Sequence, residues 1–230
     1  MWRFAAGPTA RACWNTTGNY SVAEHHLKTP LSEDDVRALK VGDTVKLTGS
    51  IFTARDRAHK YLVEETAPDS LGFDLRGAVL YHCGPLVRRK DEGFELVVAG
   101  PTTSNRMNPY EPEVIAGYGI RAIIGKGGMD DHTLEALGRH GCVYLSAVSG
   151  AAVVLARYVK RILNVYKLDE FGMPECFWEF EVSGLSTIVT MDSRGQSIHK
   201  LVEQASGERL KELLFAKQDA AQASAKKPAR

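Results

Sequence analysis

Ala122-Ile-Ile-Gly-Lys-Gly-Gly-Met-Asp-Asp-His-Thr-Leu-Glu-Ala-Leu-Gly-Arg-His-Gly-Cys-Val-Tyr-Leu145 decides the fold. Ala122-Ile-Ile is a short apolar run that stops at a glycine-rich break, which reads as a buried strand. Asp131 to Arg139 reads as a helix, closed by His140-Gly141 where glycine can take the left-handed cap. Cys142-Val-Tyr-Leu is a second strand. Strand, helix, strand in this rhythm predicts an α/β fold.

The rhythm continues in both directions. Upstream, Ala78 to His82 and Glu95 to Ala99 are expected strands, ending at Gly84-Pro85 and Gly100-Pro101. Pro112 to Gly117 and Arg57 to Glu65 are expected helices. Thr44 to Thr53 has β-rich, partly alternating character. Ser32 is expected to cap a short helix to about Leu39, with Glu33, Asp34 and Asp35 in the first turn where the helix dipole favours acids. Downstream, Ala151 to Leu163 is an expected helix, Phe177 to Val182 and Ser186 to Met191 late strands, and Ser197 to Phe215 a long amphipathic helix. The chain is thus read as an N-terminal extension over residues 1–26, one α/β domain over 27–216, and a disordered Ala/Lys/Gln-rich tail over 217–230.

The chain has 230 residues and a formal net charge of +1, so no bulk charge draws it to nucleic acid or acidic lipid. No apolar run reaches the roughly 18 residues of a membrane span. The four cysteines, Cys13, Cys83, Cys142 and Cys176, are dispersed. Cluster and zinc sites usually carry a short Cys-x-x-Cys-like pair, so these are read as structural thiols of a reducing compartment and no metal ligand is assigned. The first acidic residue is Glu24. The acid-free start is read as an extension, with a mitochondrial transit peptide as the alternative; the expected location is accordingly cytoplasmic, or mitochondrial under that alternative.

Three polar loops follow strands, where open α/β sheets bind ligands. Thr53-Ala-Arg55-Asp56-Arg57-Ala-His59 offers arginine forks suited to a carboxylate, or else a solvated charged turn. Ala99-Gly100-Pro101-Thr102-Thr103-Ser104-Asn105-Arg106 sets three adjacent hydroxyls and a cation after a Gly-Pro break, more than a helix cap requires. Ile124-Gly125-Lys126-Gly127-Gly128 holds a lysine between glycines that allow close backbone approach. It lacks the hydroxyl of a P-loop and the third glycine of a dinucleotide fold. No Gly-x-Ser-x-Gly elbow and no His-Glu-x-x-His motif occurs. Arg55, Arg106 and Lys126 together suit a small polyanion such as a dicarboxylate. Of the scattered histidines, His59 and His82 lie nearest the loops.

With Val41-Gly-Asp-Thr-Val and Gly172-Met-Pro-Glu, these loops resemble the β subunit of class I fumarases and of L(+)-tartrate dehydratase, in order from about residue 27 to 205. The resemblance implies a swivelling β/β/α domain and reversible hydration of fumarate to L-malate, with tartrate dehydration or a non-catalytic assembly role as alternatives. It implies a [4Fe–4S] cluster held by a separate α subunit, in an α2β2-type complex, and not by this chain. It implies that Thr102 exchanges the C3 proton, that Thr103 hydrogen-bonds the substrate, and that Arg55, Arg106 and Lys126 bind its carboxylates. Arg57 stands where relatives carry a smaller residue, which is expected to bear on substrate preference. Neither nucleic acid nor membrane is an expected partner.

Overall fold

The computed structural model describes residues 22–91 and 93–225. Its strands are β1 (Glu24–Lys28), β2 (Thr44–Thr53), β3 (Val79–Tyr81), β4 (Leu86–Lys90), β5 (Gly93–Val98), β6 (Ala122–Gly125), β7 (Val143–Ser146), β8 (Val159–Tyr166) and β9 (Phe177–Met191). Its helices are α1 (Glu33–Ala38), α2 (Asp56–Glu64), α3 (Glu111–Tyr118), α4 (Asp131–His140), α5 (Ala152–Ala156), α6 (Leu168–Phe171) and α7 (Ile198–Ala225).

The unit β6-α4-β7 forms as its sequence predicts. Asp130 accepts a hydrogen bond from the Thr133 amide to cap α4, and Gly141 closes it at φ 65°. Both strands are parallel neighbours, Ala122 opposite Val143. The expected Ser32 cap of α1 is present as a reciprocal box with Asp35.

Seven strands form one sheet in the order β1-β2-β3-β6-β7-β9-β8. The strand β9 also pairs antiparallel with β2, so β2, β3, β6, β7 and β9 close into a ring of pairings. Alternation along these strands separates two cores. Val79, Tyr81, Ala122, Ile124, Val143 and Leu145 turn to one cluster, with Trp178 and Phe180. Leu80, Ile123 and Tyr144 turn to the other, which the helices cover with Leu62, Val114, Ile115, Leu134 and Leu137. Full burial of each such aliphatic side chain contributes about 1.5–3 kcal/mol.

Several sequence expectations change. Ala151 to Leu163 is not one helix: α5 stops at Ala156, and β8 begins at Val159. Val159, Ile162 and Val165 pack on the core from a strand that pairs with β9; that pairing outweighs a local pattern compatible with either state. The two late strands are one, β9, continuous through Gly184 at φ 65°. The hairpin β4–β5 extends the single strand expected at 95–99. Pairing of β1 with β2 begins at Glu24, inside the segment read as extension. The helix α7 runs to Ala225, into the segment read as a disordered tail. The extension and transit-peptide readings of the start fall mainly on residues 1–21, outside the described residues. No helix of the described residues is long and apolar enough to cross a membrane.

One consequence of the register positions everything that follows. Thr53 lies opposite Tyr81, and Tyr81 opposite Ile124. The carboxyl ends of β2, β3 and β6 are therefore level, and the loops leaving them start side by side.

Candidate functional site

Arg55 and Lys126 each follow these strand ends closely. The third loop, 99–106, returns from β5 and is laced across them. The Thr102 amide donates to the His82 carbonyl at 2.7 Å, and the Ser104 amide to the Lys126 carbonyl at 3.2 Å. Thr103 and Lys126 form a parallel bridge, as Cys83 and Pro101 form an antiparallel one. Loop 99–106 thus behaves as an added short strand, fixed on both sides by backbone bonds.

At its end a single 3₁₀ turn, Ser104–Met107, brings Arg106 back over Thr102. Nη2 of Arg106 donates to the Thr102 hydroxyl at 2.7 Å and lies 3.2 Å from Asp56. Arg55 Nη2 is 3.3 Å from Glu175 and 3.8 Å from Asp56. Asp56 therefore bridges the two arginines. Lys126, half-buried, has no carboxylate partner among the described residues, and Thr103 is exposed beside it. The structure brings Arg55, Thr102 and Arg106 into one polar group, with Thr103 and Lys126 joined to it through the backbone bridge.

Glycine makes room for this group. A Cβ on Gly84 would lie 2.8 Å from both the Arg55 Cδ and the Pro174 carbonyl, closer than van der Waals contact permits. A Cβ on Gly125 would collide with the Ser104 hydroxyl and stand 2.6 Å from that of Tyr144.

Two loop residues behave otherwise than their sequence suggests. Ser104, the third hydroxyl of the expected anion nest, is buried and turns inward. Arg57 turns away: it donates twice to Glu65, at 2.7 and 2.8 Å, and stacks 4.3 Å over the Phe171 ring. Nothing in this geometry links Arg57 to substrate preference.

Beneath the loops lies a set of buried charges that local sequence reading misses. His59, His82 and Glu111 are all 0% exposed. Glu111 Oε2 lies 3.0 Å from Nε2 of each histidine. The His82 contact is a hydrogen bond, whereas His59 Nε2 and Glu111 Oε1 have no hydrogen-bond partner among the described residues. Burial acts to raise the Glu111 carboxyl, but the two imidazoles outweigh it and hold the group at about 2. Burial likewise acts to lower His59; the Glu111 charge and the Arg55 carbonyl outweigh it, and His59 is raised. For His82 burial prevails over Glu111, with neighbouring His59 adding to it, and the ring is lowered. Glu111 is thus held as a carboxylate, and of the two imidazoles His59 is favoured and His82 disfavoured for the proton. The one sequence clue was the nearness of His59 and His82 to the loops; Glu111 carried none.

The described cysteines do not suit an iron–sulfur cluster. Cys83, Cys142 and Cys176 are buried, one just past β3, one just before β7 and one just before β9. Burial pushes the Cys83 and Cys176 thiols up to about 12 and Cys142 well above its usual value, whereas cluster ligands are thiolates. A cavity of about 590 Å³ opens beside Asn105 and Gly127; Asp130, Asp131 and Glu203 line it together with Lys200, which pairs with Asp131. Three carboxylates against one lysine suit an anion poorly, so the group that holds Arg55, Arg106 and Lys126 is the better candidate site.

Known proteins match this chain over most of its length. The family model described as Fumarase C-terminus matches residues 6–202. A protein of Geobacillus stearothermophilus assigned as a class I fumarate hydratase is 45% identical over 185 residues, covering 80% of this chain and 35% of that protein. A protein of Methanocaldococcus jannaschii assigned as an L(+)-tartrate dehydratase subunit beta is 47% identical over 186 residues, covering 80% of this chain and 95% of the relative. The L(+)-tartrate dehydratase subunit beta of Escherichia coli K12 is 36% identical over 173 residues, covering 75% and 85%. The chain thus spans about a third of the first relative and most of the other two.

Proposed function

The chain belongs to the Fumarase C-terminus family, and from that premise we propose that it is the β subunit of a hydro-lyase that reversibly hydrates fumarate to L-malate. The single observation that carries the reading is the 2.7 Å contact of Arg106 with the Thr102 hydroxyl, within one group that also holds Arg55 and Asp56.

Hydration adds a hydroxyl to one olefinic carbon and a proton to the other. We assign the proton step at C3 to the Thr102 oxygen, as donor in hydration and acceptor in dehydration. A threonine hydroxyl is ordinarily a very weak acid. A guanidinium at hydrogen-bond distance favours its alkoxide, and exclusion of water strengthens that effect. Arg55, Arg106 and Lys126 receive the two carboxylates and stabilise the charge that develops as the C3 proton leaves. Thr103, exposed beside Thr102, donates a hydrogen bond to the substrate.

Among the described residues, the group around Thr102 holds no acid assigned to the departing hydroxyl. A [4Fe–4S] cluster on a separate α subunit would supply Lewis-acid help there. A separate α partner is supported by the near-complete coverage of the two subunit-beta relatives; the α2β2-type stoichiometry is part of the proposal. A cytoplasmic location is consistent with the bacterial and archaeal sources of the relatives.

A second substrate is favoured by a specific observation: identity to the M. jannaschii tartrate-type relative, 47%, matches that to the fumarase-type relative, 45%. The deciding experiment is anaerobic assay of the chain alone and co-expressed with a cysteine-bearing α subunit, following fumarate and tartrate by absorbance. Activity with fumarate only in the complex is the expected result. Tartrate turnover would move the assignment to tartrate dehydratase, and activity of the colourless chain alone would overturn the half-site reading.

A further inference from the structure

We infer that the buried His59–Glu111–His82 cluster is a positioning element, which sets the relative placement of the loops that carry Arg55, Thr102 and Lys126. The inference rests on the proposed function for the meaning of those three residues, but not for the geometry.

The geometry is a junction. Glu111 enters from the first turn of α3 and meets both imidazoles at one oxygen, 3.0 Å from each. The rings stand edge to face with centroids 5.0 Å apart. Each imidazole then spends its other nitrogen on a segment bearing a site residue. His59 Nδ1 donates to the Arg55 carbonyl at 2.8 Å. His82 Nδ1 meets the Ser104 hydroxyl at 2.9 Å, and that hydroxyl meets Tyr144 at 2.8 Å. The His82 carbonyl holds the Thr102 amide, and the Ser104 amide holds the Lys126 carbonyl. Starting from Glu111, one arm leads to Arg55, and the other leads through His82 and Ser104 to Thr102 and Lys126.

Energetics argue that this junction does more than fill space. Burying ionised groups costs more than packing aliphatic side chains of equal volume, so ion clusters in cores are a weak source of stability. What a cluster fixes better than apolar packing is direction: hydrogen bonds have preferred angles, and close-packed Leu or Ile does not align a carbonyl. Displacement of a reacting group by about 1 Å can cost on the order of 100-fold in rate, so alignment is where such a cluster repays its burial. The donor atoms of the three residues also lie within 4.8 Å of one another, as metal ligands would. The hydrogen-bond geometry of the His82 contact favours a hydrogen-bonded cluster, and bound metal is made an outcome of the test.

Three variants separate the arms: Glu111→Gln, which keeps shape and removes charge; His59→Gln, on the Arg55 arm; and Ser104→Ala, on the Thr102 arm. The first readout needs no activity. In amide NMR of the full chain, Glu111→Gln is expected to shift the amides of Arg55, Thr102 and Lys126 together, with the strands β7 to β9 unmoved. If Glu111→Gln fails to fold, Ser104→Ala is expected to shift Thr102 and Lys126 but not Arg55, and His59→Gln the reverse. The second readout is kinetic, in the complex with its partner. Ser104→Ala is expected to lower kcat about 10-fold or more with KM nearly unchanged, and His59→Gln to raise KM with kcat less affected. The inference is overturned if folded variants leave those amides and both constants unmoved while only Tm falls. It is also overturned if purified chain carries one equivalent of zinc that His59→Gln removes. A wild-type complex inactive on every dicarboxylate tried, with the amide shifts as expected, would overturn the proposed function and leave the positioning role standing.

Discussion

The Arg106 guanidinium donates to the Thr102 hydroxyl across 2.7 Å, four residues away along one 3₁₀ turn. Removing either side chain therefore tests a different half of one contact. Thr102→Ala deletes the oxygen proposed to exchange the proton. Turnover in the reconstituted complex is expected to fall by about 100-fold or more, the scale of general acid–base contributions, with KM changed little. Thr102→Ser, which keeps the oxygen, should recover much of the loss. Steady-state kinetics on the three proteins, with near-normal turnover of Thr102→Ala as the refuting result, checks the assignment.

Arg106→Ala removes the neighbour and a proposed carboxylate ligand together. A charge-assisted hydrogen bond is worth roughly 1.5–3 kcal/mol, so kcat/KM should drop about 10- to 100-fold, with both constants affected. A pure KM effect would mean that Arg106 binds substrate without assisting Thr102.

Gly84→Ala tests the packing beside Arg55. The new Cβ needs the space of the Arg55 side chain and the Pro174 carbonyl, and overpacking of this kind costs about 1–3 kcal/mol. Lower Tm and a raised KM are expected together. Loss of Tm with an unmoved KM would show that Arg55 relaxes without harm to binding.

Arg57→Ala is the control in the same loop. Its side chain is engaged by Glu65 and Phe171, and exposed ion pairs contribute about 0–1 kcal/mol. KM for each dicarboxylate should stay within about 2-fold. A change in fumarate-to-tartrate preference would restore to Arg57 the role its sequence position suggested.

The buried cluster fixes a sign for acid stability. Glu111 has a folded value of about 2 against an ordinary 4.5, so the unfolded chain binds the proton first. Its contribution is complete above pH 4.5 and is lost as pH falls toward 2. His59, raised, contributes fully below its ordinary value and loses its contribution as pH rises through its folded one. His82, lowered, works against the folded state as pH falls below its ordinary value. Thermal unfolding followed through the acid range should steepen below pH 4.5 in the wild type. Glu111→Gln should be less stable at neutral pH and flatter in that window; parallel curves would contradict the ionised state of Glu111.

Much of the site was legible because Gly-Pro and Gly-Gly breaks mark where strands deliver loops. Thr102 and Arg106 follow Gly100-Pro101 and Lys126 stands just before Gly127-Gly128, whereas Arg55 follows the end of β2 without any such break. What could not be read was partnership across distance. Glu111 meets His82 from 29 residues away, and no local pattern distinguishes a buried glutamate at a helix start from an exposed one favouring the dipole. Ser104 had two hydroxyl neighbours that disguised its inward turn. The segment 151–163 failed for a related reason: Val159 to Tyr166 is a strand because β9 is there to pair with it, and β9 is named nowhere in that local sequence.

The strand β9 also has a consequence for the order in which this protein can be built. It pairs with β2, β7 and β8, and residues 177–191 are among the last of the domain to be synthesised. A nascent chain ending before Phe177 exposes open edges on β2 and β7, each a template for pairing with another chain. Pairing of β2 with β9 spans well over a hundred residues, a contact that forms slowly. The emerging subunit is thus committed to a late, all-at-once closure, and its vulnerability to aggregation is concentrated in the interval before that final strand arrives.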